Sequence, residues 1–260
     1  MAGRTTAERG ERQQESSVPP PVRGRLRTIV VLGALLVLLG AGVAWVLYGS
    51  DWLRVERVPV SGTRVLTPAQ VREAAAVPLG EPMMSVDTDI IEARLRRKLP
   101  RIDTVEVVRS WPHGIGLKVI ERTPVVLIRK GGNFVEVDAE GVRFATVSRA
   151  PKGVPLLELS VSRTGPAAAS FRRFGAGRLV REAVRAAGDL PRSLAGATRT
   201  VRVRSYDAIS LELADGRTVA WGSGENGRAK ARALTALMKA APGARHFDVS
   251  VPTAPASSGS

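Results

Sequence analysis

The sequence predicts an α+β protein: a single transmembrane helix, then a small β-α-α-β-β domain, then a second mixed, β-rich domain. Three observations predict it. Residues 28–50 carry no charged side chain. Over residues 51–123 the apolar positions recur with periods of 2 and 3.6 in the order strand, helix, helix, strand, strand. From Pro124 to Val251 short alternating runs dominate, with two helical patterns among them.

The uncharged run is TIVVLGALLVLLGAGVAWVLYGS, Thr28 to Ser50, with 12 Leu, Ile and Val. A helix of about 20 residues rises roughly 30 Å, the thickness of a bilayer core. Inside lipid a lone segment must satisfy its own backbone hydrogen bonds, and a helix does so. Arg23, Arg25 and Arg27 precede the run. Basic flanks stay cytoplasmic, so residues from Asp51 onward are expected outside. Trp45 and Tyr48 lie near the outer end, where amphipathic rings favour the lipid–water boundary. The competing reading is a cleaved secretory signal, with Gly42-Val43-Ala44 as its small-x-small site. Against it, the run exceeds a signal core of about 7–15 residues. It also continues through Trp45, Val46 and Leu47.

Residues 1–27 are rich in Arg, Glu, Gln and Ser and end near Pro19-Pro20-Pro21. They have no hydrophobic period and read as a disordered cytoplasmic tail. The net charge is +15, and most of it falls beyond the helix. Aromatic residues make up 4%, too few for base-stacking platforms, so nucleic acid is not the expected partner. A solvated basic surface, or one facing anionic headgroups or wall polymers, accounts for the charge. There is no cysteine, which excludes disulfides, thiolate metal sites and cysteine nucleophiles.

In the first domain, 51–123, Leu53/Val55 and Val58/Val60 alternate as a short strand, punctuated by Ser61-Gly62. Thr67-Pro68-Ala69-Gln70 joins an N-cap, a first-turn proline and a capping-box partner. Val71, Ala74 and Ala75 form that helix's inner stripe. Asp87 or Thr88 caps a second helix, with Ile91, Leu95 and Leu99 on one face and a basic last turn. Pro100 stops it. Val105/Val107 and Ile115/Leu117/Val119 are two strands joined at Trp111-Pro112-His113-Gly114.

In the second domain, 124–251, strands are expected at Val125–Ile128, Phe134–Val137 and Val142–Val147. The stretch 150–175 has no clear period. A helix spans Leu179 to Ala187. Val201/Val203 and Ile209/Leu211/Leu213 alternate, and Asp215-Gly216 is a strong hairpin signal leading to Val219-Ala220-Trp221. A helix from about Asn226 to Ala240 directs Ala233, Leu234, Leu237 and Met238 inward. Phe247/Val249/Val251 form a last strand, and residues 252–260 read as a frayed tail.

The pieces Val60-x-Gly62-x-x-Val65-Leu66-Thr67, Leu99-Pro100, Arg109-x-Trp111-Pro112, Glu121-Arg122-Thr123-Pro124 and Asp138-x-x-Gly141 stand in an order that resembles the FtsQ/DivIB bacterial cell-division proteins. Gly216-Arg217-x-x-x-Trp221-Gly222 extends the likeness. The resemblance implies a POTRA domain next to the membrane, a larger β domain beyond it, and no enzymatic activity. It implies a divisome scaffold at the septum that binds FtsB/DivIC-type and FtsL-type coiled-coil proteins and other divisome proteins. The FtsB-type partner would add a strand at Phe247, Asp248, Val249, Ser250 and Val251, supported by Leu237 and Met238. Strand addition draws affinity from backbone hydrogen bonds, so a proline at Val249 is expected to obstruct it. Recruitment through the POTRA domain would use the stretch carrying Val60, Gly62, Thr67 and Val71. An alternative is a POTRA-containing envelope assembly or secretion factor; a reading of another class, a membrane-anchored enzyme acting on wall or lipid substrates, would need a convergent acid–base or nucleophile cluster that the sequence does not offer.

Other motifs have plainer readings. Gly222-Ser223-Gly224-Glu225-Asn226-Gly227 matches G-x-G-x-x-G between a strand and a helix, with Asp248 further on. Only one βαβ-like unit surrounds it, so a glycine-rich turn is expected rather than a dinucleotide site. His113 and His246 are the only histidines and stand far apart, so no metal site is expected. Asp87/Asp89 and Asp138/Glu140 sit where caps and turns use carboxylates. No cofactor and no small-molecule substrate are expected.

Overall fold

The computed structural model describes residues 22–160 and 165–259. The tail expected over 1–27 lies outside the described residues as far as residue 21. From Val22 onward the chain is helical: α1 spans Val22–Tyr48, six residues earlier than the apolar run. No proline follows the triplet, and Gly24 lowers helix propensity without blocking a backbone bond, so the arginine-bearing turn joins the helix. Residues Arg27–Tyr48 form a helix long and apolar enough to cross a membrane, with a mean hydropathy of 2.7. Its apolar side chains, Leu36 and Leu38 among them, find no cover elsewhere in the described chain.

A single 3-10 turn, Asp51–Leu53, connects α1 to the first module. Strand β1 is only Val60–Ser61. The longer strand expected from Leu53 is extended but irregular, because it is wedged between two neighbours. Val55 N–H donates to the Glu81 carbonyl at 3.0 Å, whereas Glu56 and Arg57 donate to the His113 carbonyl at 2.9 and 3.1 Å. Helix α2 (Pro68–Ala75) starts as its sequence dictates: Thr67 Oγ1 accepts the Gln70 N–H at 3.2 Å and Gln70 Oε1 accepts the Thr67 N–H at 2.9 Å. Helix α3 (Thr88–Lys98) is capped by Asp87, which accepts from Asp89 and Ile90. Strands β2 (Ile102–Ser110) and β3 (Gly114–Glu121) form an antiparallel hairpin, and the sheet order is β1-β3-β2. Val71, Leu95, Ile115 and Leu117 are fully buried between sheet and helices. Each such side chain contributes about 1.5–3 kcal/mol of transfer free energy.

The second module is one nine-stranded mixed sheet. In chain order it contains β4 (Val126–Lys130), β5 (Asn133–Val137), β6 (Arg143–Val147), β7 (Leu156–Leu159), β8 (Thr198–Ser205), β9 (Ala208–Leu213), β10 (Thr218–Gly222), β11 (His246–Asp248) and β12 (Ala256–Ser258). Their spatial order is β12-β11-β10-β9-β8-β7-β4-β5-β6. Helices α4 (Gly165–Gly188), α5 (Arg192–Ala195) and α6 (Gly227–Ala240) complete it, and α4 is broken at Gly175, where φ is +71°. Val201, Val203, Ile209, Leu211, Val219, Trp221 and Phe247 alternate onto one face of the sheet and pack against Leu179, Ala183 and Val184 of α4 and Leu234 of α6.

Three sequence expectations change. The unreadable stretch 150–175 holds β7, which pairs parallel with β4 and β8 and so links the two halves of the sheet. The last strand stops at Asp248 rather than Val251, because Asp248 Oδ1 accepts both the N–H and the hydroxyl of Ser250 and turns the backbone away. The expected frayed tail contains β12, antiparallel to β11.

Candidate partner interface

The β9–β10 hairpin sets the position of the sheet edge that matters. Asp215 Oδ1 accepts the Arg217 N–H at 3.1 Å, and Gly216 takes φ +84°. That N–H holds the Asp215 carboxyl below its usual range, aided by the Arg217 side chain. From β10 the chain passes through the Gly222–Gly227 turn into α6, then returns as β11 parallel to β10, with Val219 opposite Phe247. Phe247 and Val249 are buried; His246 and Asp248 face outward. Leu237 and Met238 are half-buried against the cluster that holds Phe247. Arg228, Arg232, Lys239 and Arg245 are exposed nearby and make this end of the module cationic.

Backbone direction along β11 can be read from one bond. Val249 N–H donates to the Ala220 carbonyl of β10 at 3.0 Å. Successive strand residues point alternately, so the edge-facing groups near the strand end are those of Asp248, not Val249. A proline at Val249 therefore breaks the ladder inside the module, which corrects the expectation that it would obstruct the edge. Val251 lies past the strand and is exposed. Of the five expected edge residues, His246's neighbour Phe247 and Asp248 are in the strand; Val249, Ser250 and Val251 are not.

The glycine-rich turn is filled from α4 and the residue just after it. A methyl group on Gly224 would come 2.3 Å from Glu182 Oε2, and one on Gly227 would come 1.9 Å from Asp189 Oδ2. The two carboxylates occupy the approach to the α6 N-terminus, where negative charge suits the helix dipole. No pyrophosphate can reach those amides, so the G-x-G-x-x-G spacing is a packing feature. Lys230, 2% exposed, donates to the Ser223 carbonyl at 2.9 Å. Burial lowers its pKa below the usual lysine value, and Glu225 opposes the shift. Among the described residues no group of three or more His, Asp or Glu could hold a metal ion.

Residues 53–122 match the family described as "POTRA domain, FtsQ-type", and residues 126–250 match "Cell division protein FtsQ/DivIB, C-terminal". The chain belongs to the FtsQ/DivIB family of cell-division proteins. A protein described as "Cell division protein FtsQ" from Streptomyces collinus is 77% identical over 264 aligned positions, covering all of both chains. One from Streptomyces coelicolor is 72% identical with the same coverage. One from Mycolicibacterium smegmatis is 32% identical, over 92% of this chain and 67% of the relative. A solved extracytoplasmic domain of the cell-division protein DivIB from Geobacillus stearothermophilus aligns with 18% identity and a TM-score of 0.32, over 46% of this chain and 93% of that one.

The FtsQ-type POTRA domain is the module of β1–β3, α2 and α3. Its four sequence-predicted surface residues are mostly structural. Val71 is fully buried and cannot form a recruitment surface, because its helix turns that face to the sheet. Thr67 is committed to the capping box, and Gly62 (φ +85°) lies against the Val119 carbonyl. Val60 is half-buried in the β1–β3 ladder. Gly62 and Thr67 are nonetheless exposed, and the large apolar side chain that the stretch turns outward is Val65, 64% exposed.

Glu121-Arg122-Thr123-Pro124 reads from sequence as the seam between the two domains; what its acid and base hold was missed. The Glu121 carboxylate gathers three N–H groups, from Arg64 at 2.7 Å, Val65 at 3.1 Å and Leu66 at 3.0 Å. Arg122 pairs with Asp138 of the second module and with Asp103 at 3.3 Å. The motif thus fixes the loop before α2 and the seam between modules. An adjacent acid and base at a domain boundary were the available signal.

Proposed function

We propose that this FtsQ/DivIB-family chain is a non-enzymatic, single-pass membrane scaffold of the divisome, with its tail cytoplasmic and both modules outside, enriched at the septum. It binds FtsB/DivIC-type and FtsL-type coiled-coil proteins and thereby links early division proteins to septal wall synthesis. The FtsB-type segment adds as a strand along β11, flanked by α6, and the exposed face of the POTRA stretch around Val65 takes part in recruitment.

The observation that carries this reading is the end of the nine-stranded sheet. Beyond β11 lies only β12, a three-residue strand of Ala, Ser and Ser whose side chains are all exposed. Strand addition needs a sheet edge with a firm apolar backing, and Phe247 of β11, in the same core cluster as Leu234 of α6, supplies it. The cationic side chains around that edge favour an acidic partner segment.

The test is partner capture by the full chain in nanodiscs. Asp248→Pro removes an edge-facing N–H and abolishes binding of the extracytoplasmic segment of the FtsB/DivIC-type protein. Asp248→Asn keeps both the N–H and the turn acceptor and binds as the parent does. Equal binding by the two variants, with both folded by circular dichroism, overturns the strand-addition reading. A fluorescent fusion spread evenly over the membrane of dividing cells overturns the divisome role.

A further inference from the structure

We propose that the segment 252–259 is a displaceable placeholder: β12 occupies the outer edge of β11 and gives it up to the arriving partner strand. The inference rests on the strand-addition reading above.

β12 pairs with β11 in a defined antiparallel register, with His246 opposite Ser258, Phe247 opposite Ser257 and Asp248 opposite Ala256. Further bonds join Arg245 N–H to the Gly259 carbonyl at 2.8 Å and Ala254 N–H to the Val251 carbonyl at 3.0 Å. The edge is therefore filled by the chain itself, through main-chain hydrogen bonds. Side chains add almost nothing to the hold. Phe247 and Val249 are buried by their own module, while all three β12 residues are exposed. Alanine and serine are poor strand formers, and Pro252 and Pro255 limit how far the pairing can extend. The net worth of a backbone hydrogen bond is close to the entropy lost on ordering a residue, so the paired form outweighs the released one by no more than about 10-fold.

Exchange is favoured in one direction. Directly opposed residues of antiparallel strands share a face, so the position of Ser257 lies beside Phe247. A branched apolar residue there gains contact that a serine hydroxymethyl does not. On the other face, the small side chains of β12 leave a trough of about 410 Å³ over Thr218, Ala220, His246 and Asp248, with room for larger ones. A placeholder also answers a hazard of the reading itself. An unpaired sheet edge invites pairing with wrong chains, and a short weak strand covers it until the right one comes.

The experiment uses the full chain in nanodiscs and the purified extracytoplasmic segment of the FtsB/DivIC-type protein. Apparent affinity is reduced by the fraction of edges that are free, so releasing the segment raises it. Deletion of 252–260 is expected to tighten Kd by about 3–10-fold, and Ser257→Val, which strengthens β12, to weaken it by a similar factor. Hydrogen exchange of the parent chain is expected to rise over 252–259 and fall over 245–249 when partner is added. Unchanged Kd in both variants, weaker binding after deletion, or slowed exchange in both segments overturns the placeholder. Loss of binding in Asp248→Pro together with a neutral deletion leaves strand addition standing and the placeholder refuted. Retained binding in Asp248→Pro refutes strand addition itself.

Discussion

Arg101 and Glu136 meet at 2.5 Å across the seam between the POTRA domain and the nine-stranded sheet, their side chains 12% and 4% exposed. The Arg101 guanidinium also stacks over the Phe144 ring, 5.2 Å from its centroid. Removing one partner of a buried pair strands the other charge. Arg101→Ala is expected to destabilise the chain by about 3–5 kcal/mol, whereas Arg101→Met with Glu136→Leu recovers most of the loss. Guanidinium unfolding midpoints of the two variants check this; equal midpoints contradict it.

Glu121 is expected to govern order in the loop before α2. It accepts three main-chain N–H groups, and hydrogen bonds to a charged group contribute about 1.5–3 kcal/mol. Glu121→Ala should lower stability by about 2 kcal/mol. Amide exchange at Arg64, Val65 and Leu66 should accelerate more than at Val71. Uniform acceleration across the domain would mean that the loop is held by something else.

Gly62 and Gly216 make a matched pair, with φ of +85° and +84°. A methyl on Gly62 would come 2.0 Å from the Val119 oxygen, while one on Gly216 meets nothing within 4 Å. Gly216→Ala should cost about 1–2 kcal/mol, the left-handed penalty alone. Gly62→Ala carries that penalty and a collision with backbone in the β1–β3 ladder, and should cost at least about 3 kcal/mol. Thermal melts of the two variants side by side decide whether the close approach matters.

Lys230 gives the chain a pH-dependent cost. Its folded pKa lies below the unfolded value, so between the two the unfolded chain binds a proton that the folded chain does not. Stability therefore rises with pH through that window, and the full cost is carried below it. Lys230→Met lacks this term. The stability of the parent relative to that variant is therefore expected to rise with pH through the window. Melting temperatures of both chains from pH 6 to pH 10 measure the gap; a constant gap refutes the account.

Local signals made much of the fold legible. Thr67-Pro68-Ala69-Gln70 carries its capping box in four residues, and Asp215-Gly216 specifies its turn in two. Ile91 and Leu95 face inward as their spacing requires. Elements whose reason for existing is distant were illegible. β7 is held by parallel neighbours from far along the chain, and β12 by backbone pairing alone, with no apolar period to announce it. At the interface Phe247 was readable from alternation, but the direction of each N–H was not. That direction depends on the pairing of β11 with β10, which no local pattern encodes. The acids beside Gly224 and Gly227 come from the C-terminal part of α4 and the residue just after it, about 40 residues away, and only tertiary packing brings them there.

Four residues, Gly49 to Trp52, separate the last residue of α1 from buried Leu53, and part of that link is itself a helical turn. Four residues reach at most about 14 Å even when fully drawn out. In the orientation proposed here, the first module is held on a short leash at the bilayer, and the second, with β11, stays tethered to the same membrane through it. A ligand rooted in the same membrane meets it by sliding in a plane, at a local concentration far above its cellular average. One that drifts free in the surrounding space gains no such advantage.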